Sequence, residues 1–268
     1  MIAAVRQRKI LHLVASSGSA RVIDLARSLE VAEETIRRDL RSLSERGKLV
    51  RTHGGALVVD EAPSGLGYSE RSQSQLIEKR AIADMAAQLI EPGDVIALDA
   101  SSSACELARQ LPDLPLTVVT NSLMVCSLLA ERSRVETVCT GGVLDSRSLA
   151  FVGMRAERTL SEFNIRRFFF SCLGIDGQRG ISEENDRHAA VKLQAMESAH
   201  KSVLLADSTK FGAASSVFYA GLESIDVVIT DSARPERTRD LLDAMLARQI
   251  EVRVAQIDAE SSVDSPQK

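Results

Sequence analysis

Short apolar runs that alternate with helix-like segments constrain the fold of this 268-residue chain more than any other feature. Runs of this kind, separated by helices, are typical of βαβ units, in which helices cover both faces of a parallel sheet. The sequence therefore predicts an α/β fold with a mostly parallel sheet in the larger part of the chain. The runs are Val95–Leu98, Leu116–Val119, Val135–Cys139, Phe168–Cys172, Val203–Ala206, Val227–Ile229 and Val252–Ala255.

The first 57 residues show a different pattern, that of three short helices and a hairpin. Apolar side chains recur there at intervals of three and four, which places them on one face of each helix. We expect the third helix to span Glu33–Arg46. A strand at Leu49–Thr52, a turn at Gly54–Gly55 and a returning strand at Ala56–Val59 complete the unit. The apolar positions are Val5, Ile10, Leu11, Val14, Val22, Leu25, Ala26, Leu29, Ile36, Leu40 and Leu43.

Charge is distributed unevenly along the chain, although the formal net charge is only −4. Residues 1–57 carry a net charge of +5, whereas residues 58–268 carry −9. A basic segment beside an acidic body indicates that the smaller unit meets a polyanion such as nucleic acid. Aromatic residues make up 3% of the chain and Trp is absent, so stacking on bases or sugars is not expected to carry binding.

The third predicted helix has the features of a recognition helix, the helix that lies in the major groove in a helix-turn-helix domain. With Ile36, Leu40 and Leu43 turned inward, its remaining side chains form a basic outer face. The hairpin adds two more basic side chains, placed as a wing beside the DNA backbone. A small helical bundle with a solvated charged face would show the same periodicity and charge. The candidate DNA contacts are Glu34, Thr35, Arg37, Arg38, Arg41, Arg51 and His53.

Two short strings favour DNA binding over a plain bundle: TIRRDL at Thr35–Leu40 and RTHGGA at Arg51–Ala56. At this spacing they closely resemble the N-terminal domain of the DeoR family of bacterial transcriptional regulators. The resemblance implies that Glu33–Arg46 is the recognition helix and that Leu49–Val59 is the wing.

Ala32 and Asp39 differ from the other residues of the recognition helix in their expected roles. The family often has Ser where this chain has Ala32, and its hydroxyl would cap the helix, a contribution of about 0.5–2 kcal/mol. Glu33 and Glu34 in the first turn offset part of this loss through the helix dipole. Asp39 lies among basic residues, and a carboxylate is repelled by phosphate. We therefore expect Asp39 to pair with a nearby Arg rather than to meet DNA.

Polar strings follow several apolar runs, at the point where each predicted strand ends. In an open α/β sheet, ligands bind at the carboxyl ends of the strands, where helix N-termini attract anions. Asp99–Ser103, with three hydroxyl groups before a predicted helix, indicates a phosphate-binding loop. Lys210 is the best single candidate for the cation that such a pocket needs in an acidic domain. Taken singly, each string is also typical of a helix cap or a turn.

The same series resembles the sensor domain of the DeoR family over about Lys79–Asp231. That domain is similar to sugar-phosphate isomerases of the ribose-5-phosphate type and senses phosphorylated sugars or related metabolites. The resemblance implies a phosphate loop and further residues that face the ligand. These residues are Asp99, Ser101, Ser102, Ser103, Thr120, Asn121, Gly141, Gly142, Asp176, Lys192 and Lys210.

Two departures from the family pattern bear on the ligand. Ser101 stands where Gly is common, and its Cβ would narrow the approach of a phosphate if the backbone there needs a positive φ. Arg187 and His188 stand where carboxylates are usual. Either the effector differs, or these two side chains face solvent. We expect solvent for His188 and leave Arg187 open.

The predicted organisation is a winged helix-turn-helix over residues 1–59, a linker over 60–78, an effector-sensing α/β domain over 79–257 and a flexible tail over 258–268. The linker is predicted because Gly, Pro and Ser cluster there. The N-terminus is charged too early for a signal peptide, and no apolar run reaches the roughly 18–20 residues of a membrane span, so we expect a cytoplasmic protein. Cys and His residues lack ligand spacing, so no metal or other cofactor is expected.

Three functions compete on these grounds. The first is a transcriptional repressor of a carbohydrate or polyol operon, active as a homodimer or homotetramer, that a phosphorylated sugar or polyol releases from double-stranded operator DNA. The alternative is a sugar-phosphate isomerase that carries a DNA-binding domain, with Asp176 and Lys210 as general base and electrostatic stabiliser. The third is a scaffold that binds DNA without sensing a ligand. We predict the first, without catalytic activity.

Overall fold

The structure, a computed structural model, describes residues 3–17, 19–29, 31–45, 49–52, 54–57, 67–232 and 236–257. The chain divides into two units, Met1–Pro63 and Ser64–Lys268. No helix in the described part of the chain is long and apolar enough to cross a membrane.

The N-terminal unit contains the three helices and the hairpin that its apolar spacing predicts. A third strand, which the sequence did not indicate, extends the hairpin into an antiparallel sheet of order β1-β3-β2. Ile10, Leu25, Ile36 and Leu40 are buried at the centre of this unit, so one apolar face of each helix contributes to the same core. The elements are α1 (Ala3–Ser17), β1 (Ser19–Arg21), α2 (Val22–Leu29), α3 (Glu33–Glu45), β2 (Val50–Arg51) and β3 (Gly55–Leu57).

Gly55 belongs to strand β3 rather than to the predicted turn. It pairs with Arg21 of β1, and a Cβ at this position would lie only 2.1 Å from the backbone oxygen of Ala20. The prediction of a Gly54–Gly55 turn is therefore wrong for Gly55, which is needed for the close approach of two strands. Gly54 has no atom within 4 Å of such a Cβ.

The C-terminal unit is built on the predicted parallel sheet. Its seven strands correspond to the seven apolar runs, have the order β15-β14-β12-β9-β4-β5-β6 and are parallel at every pairing. The α/β prediction is thus confirmed. In chain order the strands of this unit are β4 (Val95–Leu98), β5 (Leu116–Thr120), β6 (Val135–Cys139), β7 (Val143–Asp145), β8 (Ala150–Val152), β9 (Arg167–Phe170), β10 (Gly174–Asp176), β11 (Gly180–Glu183), β12 (Ser202–Leu205), β13 (Val217–Ala220), β14 (Val227–Asp231) and β15 (Glu251–Ala255).

Helices cover both faces of the parallel sheet. On strand β9, Phe168 and Phe170 belong to one apolar cluster, whereas Phe169 belongs to the other. Alternate side chains of a strand point to opposite faces, so this division shows that both faces are buried. The helices are α4 (Tyr68–Gln73), α5 (Leu76–Ala87), α6 (Ser102–Arg109), α7 (Leu123–Leu129), α8 (Met154–Ser161), α9 (Asp186–Glu197) and α10 (Glu236–Ala247).

Two small antiparallel sheets were not predicted. One is the β7–β8 hairpin, and the other has the order β10-β11-β13. Their strands are only three or four residues long, and β7 exposes both Val143 and Leu144. Strands so short carry little periodic signal in the sequence.

The predicted linker over residues 60–78 is wrong in its second half, because α4 begins at Tyr68 and α5 at Leu76. Tyr68 is buried in the same apolar cluster as Ile82 and Cys105. Its backbone N–H donates a 3.0 Å hydrogen bond to the carbonyl oxygen of Arg147. A single buried aromatic side chain therefore anchors a segment whose Ser and Gly content suggested a linker.

Candidate functional site

Helix α3 presents a basic face to solvent. Ile36 and Leu40 are buried, whereas Arg37, Arg38 and Arg41 are exposed, as their spacing predicts. Glu34 is also exposed and Thr35 is half-buried. Arg is suited to bidentate contact with guanine edges and phosphates, so this face has the chemistry of a DNA-reading surface.

The arginines of this face differ in their partners. Arg37 Nη2 lies 3.1 Å from Glu33 Oε2, and Arg37 Nη1 lies 3.9 Å from Glu34 Oε2. Both pairs are exposed, and such helical pairs contribute only about 0.3–0.5 kcal/mol, so a phosphate can displace them. Within the described residues, Arg38 and Arg41 form no ion pair.

Asp39 pairs with an arginine, as expected, and the partner is Arg6 of α1. Arg6 Nε lies 2.5 Å from Asp39 Oδ2, and Gln7 Nε2 donates to Asp39 Oδ1 at 3.0 Å. Asp39 is only 4% exposed. The carboxylate therefore fastens α3 to α1 and does not belong to the outer face.

The wing is described only in part. The backbone of Arg51 lies in β2 and pairs with Ala56 of β3. The side chain of Arg51 and all of His53 lie outside the described residues. Their predicted contacts with DNA stay predictions.

A cavity lies at the carboxyl ends of three adjacent strands, β4, β9 and β12. This is the position at which an α/β sheet binds ligands. The polar residues that follow these strands line the cavity together with residues of α4, α5, α9 and β11. The lining residues are Arg71, Ser74, Lys79, Ser101, Ser102, Ser103, Ser171, Cys172, Leu173, Glu183, Lys192, Asp207, Thr209 and Lys210.

Lys192 and Asp99 hold the loops around the cavity in place. Lys192 Nζ lies 2.9 Å from Asp99 Oδ2 and 2.5 Å from Glu183 Oε1, and it also donates to the carbonyl oxygen of Ser171. Three acceptors use all three N–H groups of an ammonium. Burial alone would lower the pKa of Lys192, but Asp99 and Glu183 outweigh it and raise the pKa. Asp99 also accepts from the backbone N–H of Ser101.

The Ser101–Ser103 loop forms the start of α6. Ser101 Oγ accepts from the N–H of Ala104 at 3.0 Å and so caps the helix. Its φ is −77°, so the Cβ of Ser101 meets no strain of the kind that a positive φ would cause. Among the described residues, the backbone N–H groups and hydroxyl groups of Ser102 and Ser103 make no hydrogen bond. The loop thus offers several free donors at the positive end of a helix.

Arg71 and Lys79 are cavity residues that the sequence reading missed. Lys79 is 4% exposed, and Nζ donates to the carbonyl oxygens of Arg71 and Ser74. Arg71 Nε is buried and makes no hydrogen bond among the described residues. Burial is the main reason that the pKa of Lys79 falls to about 8; Lys210 and Arg71 also lower this pKa, whereas Asp207 and Glu106 raise it. Both residues lie in or beside the predicted linker, where only their charge marked them.

The cavity therefore has an excess of positive charge. Lys192 is paired with two carboxylates, Asp99 and Glu183, and among the described lining residues Arg71, Lys79 and Lys210 face one further carboxylate, Asp207. These seven groups together carry a net charge of +1. Lys210 itself is half-buried and forms no ion pair within the described part of the chain. Cations, free N–H groups and hydroxyl groups together suit a phosphate dianion.

Thr120 and Asn121, predicted to face the ligand, lie outside this cavity. Thr120 Oγ1 donates to the carbonyl oxygen of Leu98 at 2.7 Å and accepts from the N–H of Ser122. Asn121 Nδ2 donates to the carbonyl oxygen of Phe151 at 3.0 Å. Their polar atoms hold strand ends and the β7–β8 hairpin, so the structure gives them a supporting role.

Gly141, Gly142 and Asp176 also lie outside the cavity. Gly142 has a φ of +115°, and a Cβ there would lie 2.7 Å from the carbonyl oxygen of Val152, so this glycine serves a close backbone approach. Gly141 precedes it with a φ of +64°. Asp176 Oδ1 accepts from the N–H groups of Arg179 and Gln178, which lower the pKa of its carboxyl. These three residues shape turns.

His188 is buried, so the expectation that it faces solvent is wrong. Its Nε2 lies 2.9 Å from Asp145 Oδ2 and 3.3 Å from Ser148 Oγ. Burial alone would raise the pKa of Asp145, but hydrogen bonds from His188 and from the N–H of Arg147 lower it to about 2. His188 therefore ties α9 to the β7–β8 hairpin, whereas Arg187 is exposed.

Comparison with known protein families agrees with this arrangement. Residues 6–62 match the DeoR-like helix-turn-helix domain, and residues 74–232 match the DeoR C terminal sensor domain. The first match includes α3 and the wing, and the second includes the whole lining of the cavity except Arg71.

Curated relatives cover almost the whole chain. It is 40% identical to the uncharacterized HTH-type transcriptional regulator YulB of Bacillus subtilis, over 87% of this chain and 90% of that protein. It is 39% identical to the L-fucose operon activator of Haemophilus influenzae, over 86% and 93%, and 36% identical to the HTH-type transcriptional regulator GlpR of Haloferax volcanii, over 91% and 96%. A ribose 5-phosphate isomerase of Methanocaldococcus jannaschii aligns with a TM-score of 0.37 at 19% identity, over 49% of this chain and 52% of that one. On the family matches and the curated relatives, the chain belongs to the DeoR family of DNA-binding transcriptional regulators.

Proposed function

We propose that this regulator represses an operon for the use of a sugar or polyol, and that a phosphorylated sugar or polyol bound in the cavity releases it from its operator. The observation that carries the proposal is the excess of cations around the free donors of the Ser101–Ser103 loop. A phosphate monoester carries a charge of about −1.5 to −2 at neutral pH and three acceptor oxygens. Arg71, Lys79 and Lys210 supply the matching charge.

Sugar operons are the proposed targets because relatives carry such names. Proteins of Haemophilus influenzae and Escherichia coli are named L-fucose operon activators, and one of Escherichia coli O157:H7 is named a putative aga operon transcriptional repressor. These names include both activators and a repressor. Repression is our proposal because the effector then needs only to weaken operator binding.

The exposed face of α3 is proposed to read the operator. Arg38 and Arg41 are ready for base or phosphate contact, and Arg37 becomes available when DNA displaces Glu33 and Glu34. One short helix reads too few bases for specificity, so we propose that a homodimer or homotetramer binds two half-sites. Arg51 and His53 of the wing are proposed to contact the backbone beside them.

A thermal-shift screen of the full chain tests the effector class. Phosphorylated sugars and polyols are compared with the same compounds lacking phosphate. A ligand at 100 times its dissociation constant adds about 2.7 kcal/mol to the free energy of unfolding. We expect a rise in Tm with phosphorylated compounds only, and a smaller rise in Lys210→Met at the same concentration. Equal shifts with the unphosphorylated sugars would exclude phosphate as the recognised group.

Catalysis is not part of the proposal. The isomerase alternative assigned a general base to Asp176, yet this carboxylate serves a turn and does not line the cavity that contains Lys210. Glu183, which does line it, is already paired with Lys192. Incubation of the pure protein with ribose 5-phosphate is expected to yield no ketose product.

A further inference from the structure

The turn between α4 and α5 lies beside the cavity, and α4 follows the part of the chain that comes from the DNA-binding unit. Helix α4 is the first described element of the C-terminal unit, and Arg71 on it and Lys79 on α5 both line the cavity. Gln75, between them, has a φ of +50°, in the left-handed region that a non-glycine residue rarely adopts. Such a residue persists only where its surroundings hold it, which makes the turn a candidate for a second conformation.

Lys79 holds this turn through bonds that a ligand can replace. Its ammonium donates to the carbonyl oxygens of Arg71 and Ser74, which belong to the last turn of α4 and to the residue after that helix. No carboxylate among the described residues lies within ion-pair distance of Lys79 or Arg71. A hydrogen bond to an anion is stronger than one to a neutral carbonyl. A bound phosphate therefore competes directly for Lys79.

We propose that the α4–α5 turn is the switch of this regulator: a phosphate dianion draws Lys79 and Arg71 to itself, frees the end of α4 and so loosens that helix, the first described element after the DNA-binding unit. The proposal rests on the proposed function, in which the cavity binds a phosphorylated effector. It adds the residues through which binding acts on DNA affinity.

The two states differ in the partners of two cations. Without ligand, Lys79 bonds to the carbonyl oxygens of α4, and Arg71 Nε has no partner among the described residues. With phosphate, both side chains donate to the ligand, and the end of α4 loses its two bonds from Lys79. The bond from the N–H of Tyr68 to the carbonyl oxygen of Arg147 must then hold the beginning of α4 without support from Lys79. Since the ligand interacts differently with the two states, it can shift the balance between them.

Lys79→Met and Lys210→Met form a matched pair for the test, because each removes one cation from the same cavity. The full chain is titrated with inorganic phosphate, against chloride at equal ionic strength, while its affinity for DNA selected from a random library is measured. Thermal shift gives phosphate affinity and shows when the site is saturated. We expect each variant to lose phosphate affinity by about 10- to 100-fold, the value of one charged hydrogen bond.

The variants should differ in the DNA response at saturating phosphate. In the wild type and in Lys210→Met we expect phosphate to weaken DNA binding by at least about fivefold, the lower end of allosteric coupling. In Lys79→Met we expect saturating phosphate to leave the affinity for DNA unchanged. Equal responses in both variants would overturn the switch while leaving the proposed function intact. Absence of any phosphate binding in the wild type would overturn the proposed effector class itself.

Arg71→Gln provides a second variant if Lys79→Met fails to fold. Since Arg71 Nε makes no hydrogen bond among the described residues, its loss leaves no buried partner unsatisfied. We expect this variant to keep the Tm of the wild type without phosphate and to lose the DNA response at saturation. A full response in Arg71→Gln, at saturating phosphate, would contradict the proposal.

Discussion

Two buried lysines, Lys192 and Lys79, illustrate how the partners of a single charge decide its role. Lys192 gives its three N–H groups to Ser171, Asp99 and Glu183, so it is a fixed part of the cavity wall. Lys79 is equally buried but bonds to backbone carbonyl oxygens. Breaking a buried ion pair costs about 3–5 kcal/mol, whereas exchanging a neutral acceptor for an anion is favourable. Only Lys79 is therefore free to respond to a ligand.

The affinity for phosphate should depend on pH through Lys79. A bound dianion favours the charged ammonium, so affinity is highest below the pKa of about 8 and falls by up to tenfold per pH unit above it. On the acid side, inorganic phosphate takes up a proton and loses its second charge, which lowers affinity there. The charged groups facing Lys79 are Asp207, Lys210, Arg71 and Glu106.

Titration calorimetry of inorganic phosphate between pH 5 and 9.5 measures this profile. The alkaline decline should disappear in Lys79→Met and persist in Lys210→Met. An alkaline decline of unchanged size in Lys79→Met would assign the titration to another group.

At the scale of elements, the wing depends on one close approach between strands. Strand β3 passes so near β1 that a Cβ at Gly55 would lie 2.1 Å from the oxygen of Ala20. Only glycine fits there without a shift of the backbone. The neighbouring Gly54 has open space around the same position. The two glycines of one sequence string therefore have different structural roles.

Gly55→Ala should impair DNA binding, and Gly54→Ala should not. The added methyl group forces β1 and β3 apart, at a cost of about 1–3 kcal/mol for an overpacked site. Since β1 lies between α1 and α2, the distortion reaches the helices that support α3. Fluorescence anisotropy with selected DNA measures affinity, and the thermal shift with phosphate serves as the control for an intact sensor. Equal affinities of the two variants would contradict this account of the wing.

For the whole molecule, the division of charge restricts where DNA can bind. The N-terminal 57 residues carry +5 and the remainder −9, so the acidic part is repelled by the duplex. DNA contact is thereby limited to the basic unit. Such a small reading surface gains specificity by repetition, which is the reason to expect more than one copy on each operator.

The affinity of the oligomer for DNA should therefore depend on the spacing of the two half-sites. Light scattering is expected to give two or four times the chain mass of 29.0 kDa. Insertion of five base pairs between half-sites, about half a helical turn, should lower affinity strongly, while ten base pairs should restore much of it. Equal affinity for all three spacings would show that single subunits bind independently.

Much of the fold could be predicted from local patterns. The seven apolar runs became seven adjacent parallel strands, and the positions of Ile36 and Leu40 correctly oriented α3. The short β7–β8 hairpin and the helix at Tyr68 were missed, because neither has a periodic apolar pattern of its own. Each depends on contacts with distant residues, such as the bond from Tyr68 to Arg147.

The sequence by itself determined the classes of the two units, a winged helix-turn-helix and an α/β domain. Apolar periodicity indicates which side chains are buried, and the charge distribution indicates which unit meets a polyanion. It also indicated the Ser101–Ser103 loop and Lys210, which lie within five residues of the ends of β4 and β12. Only the tertiary structure decided which polar residues share one cavity. The hydroxyl group of Thr120 donates a hydrogen bond to the carbonyl oxygen of Leu98 and does not line the cavity. Arg71 and Lys79 line it, although they lie in or beside a segment whose composition suggested a linker. The physical reason is that the local pattern of apolar residues indicates which side chains are buried. A hydrogen-bond partner, in contrast, can be far away in the sequence and is known only once the chain has folded.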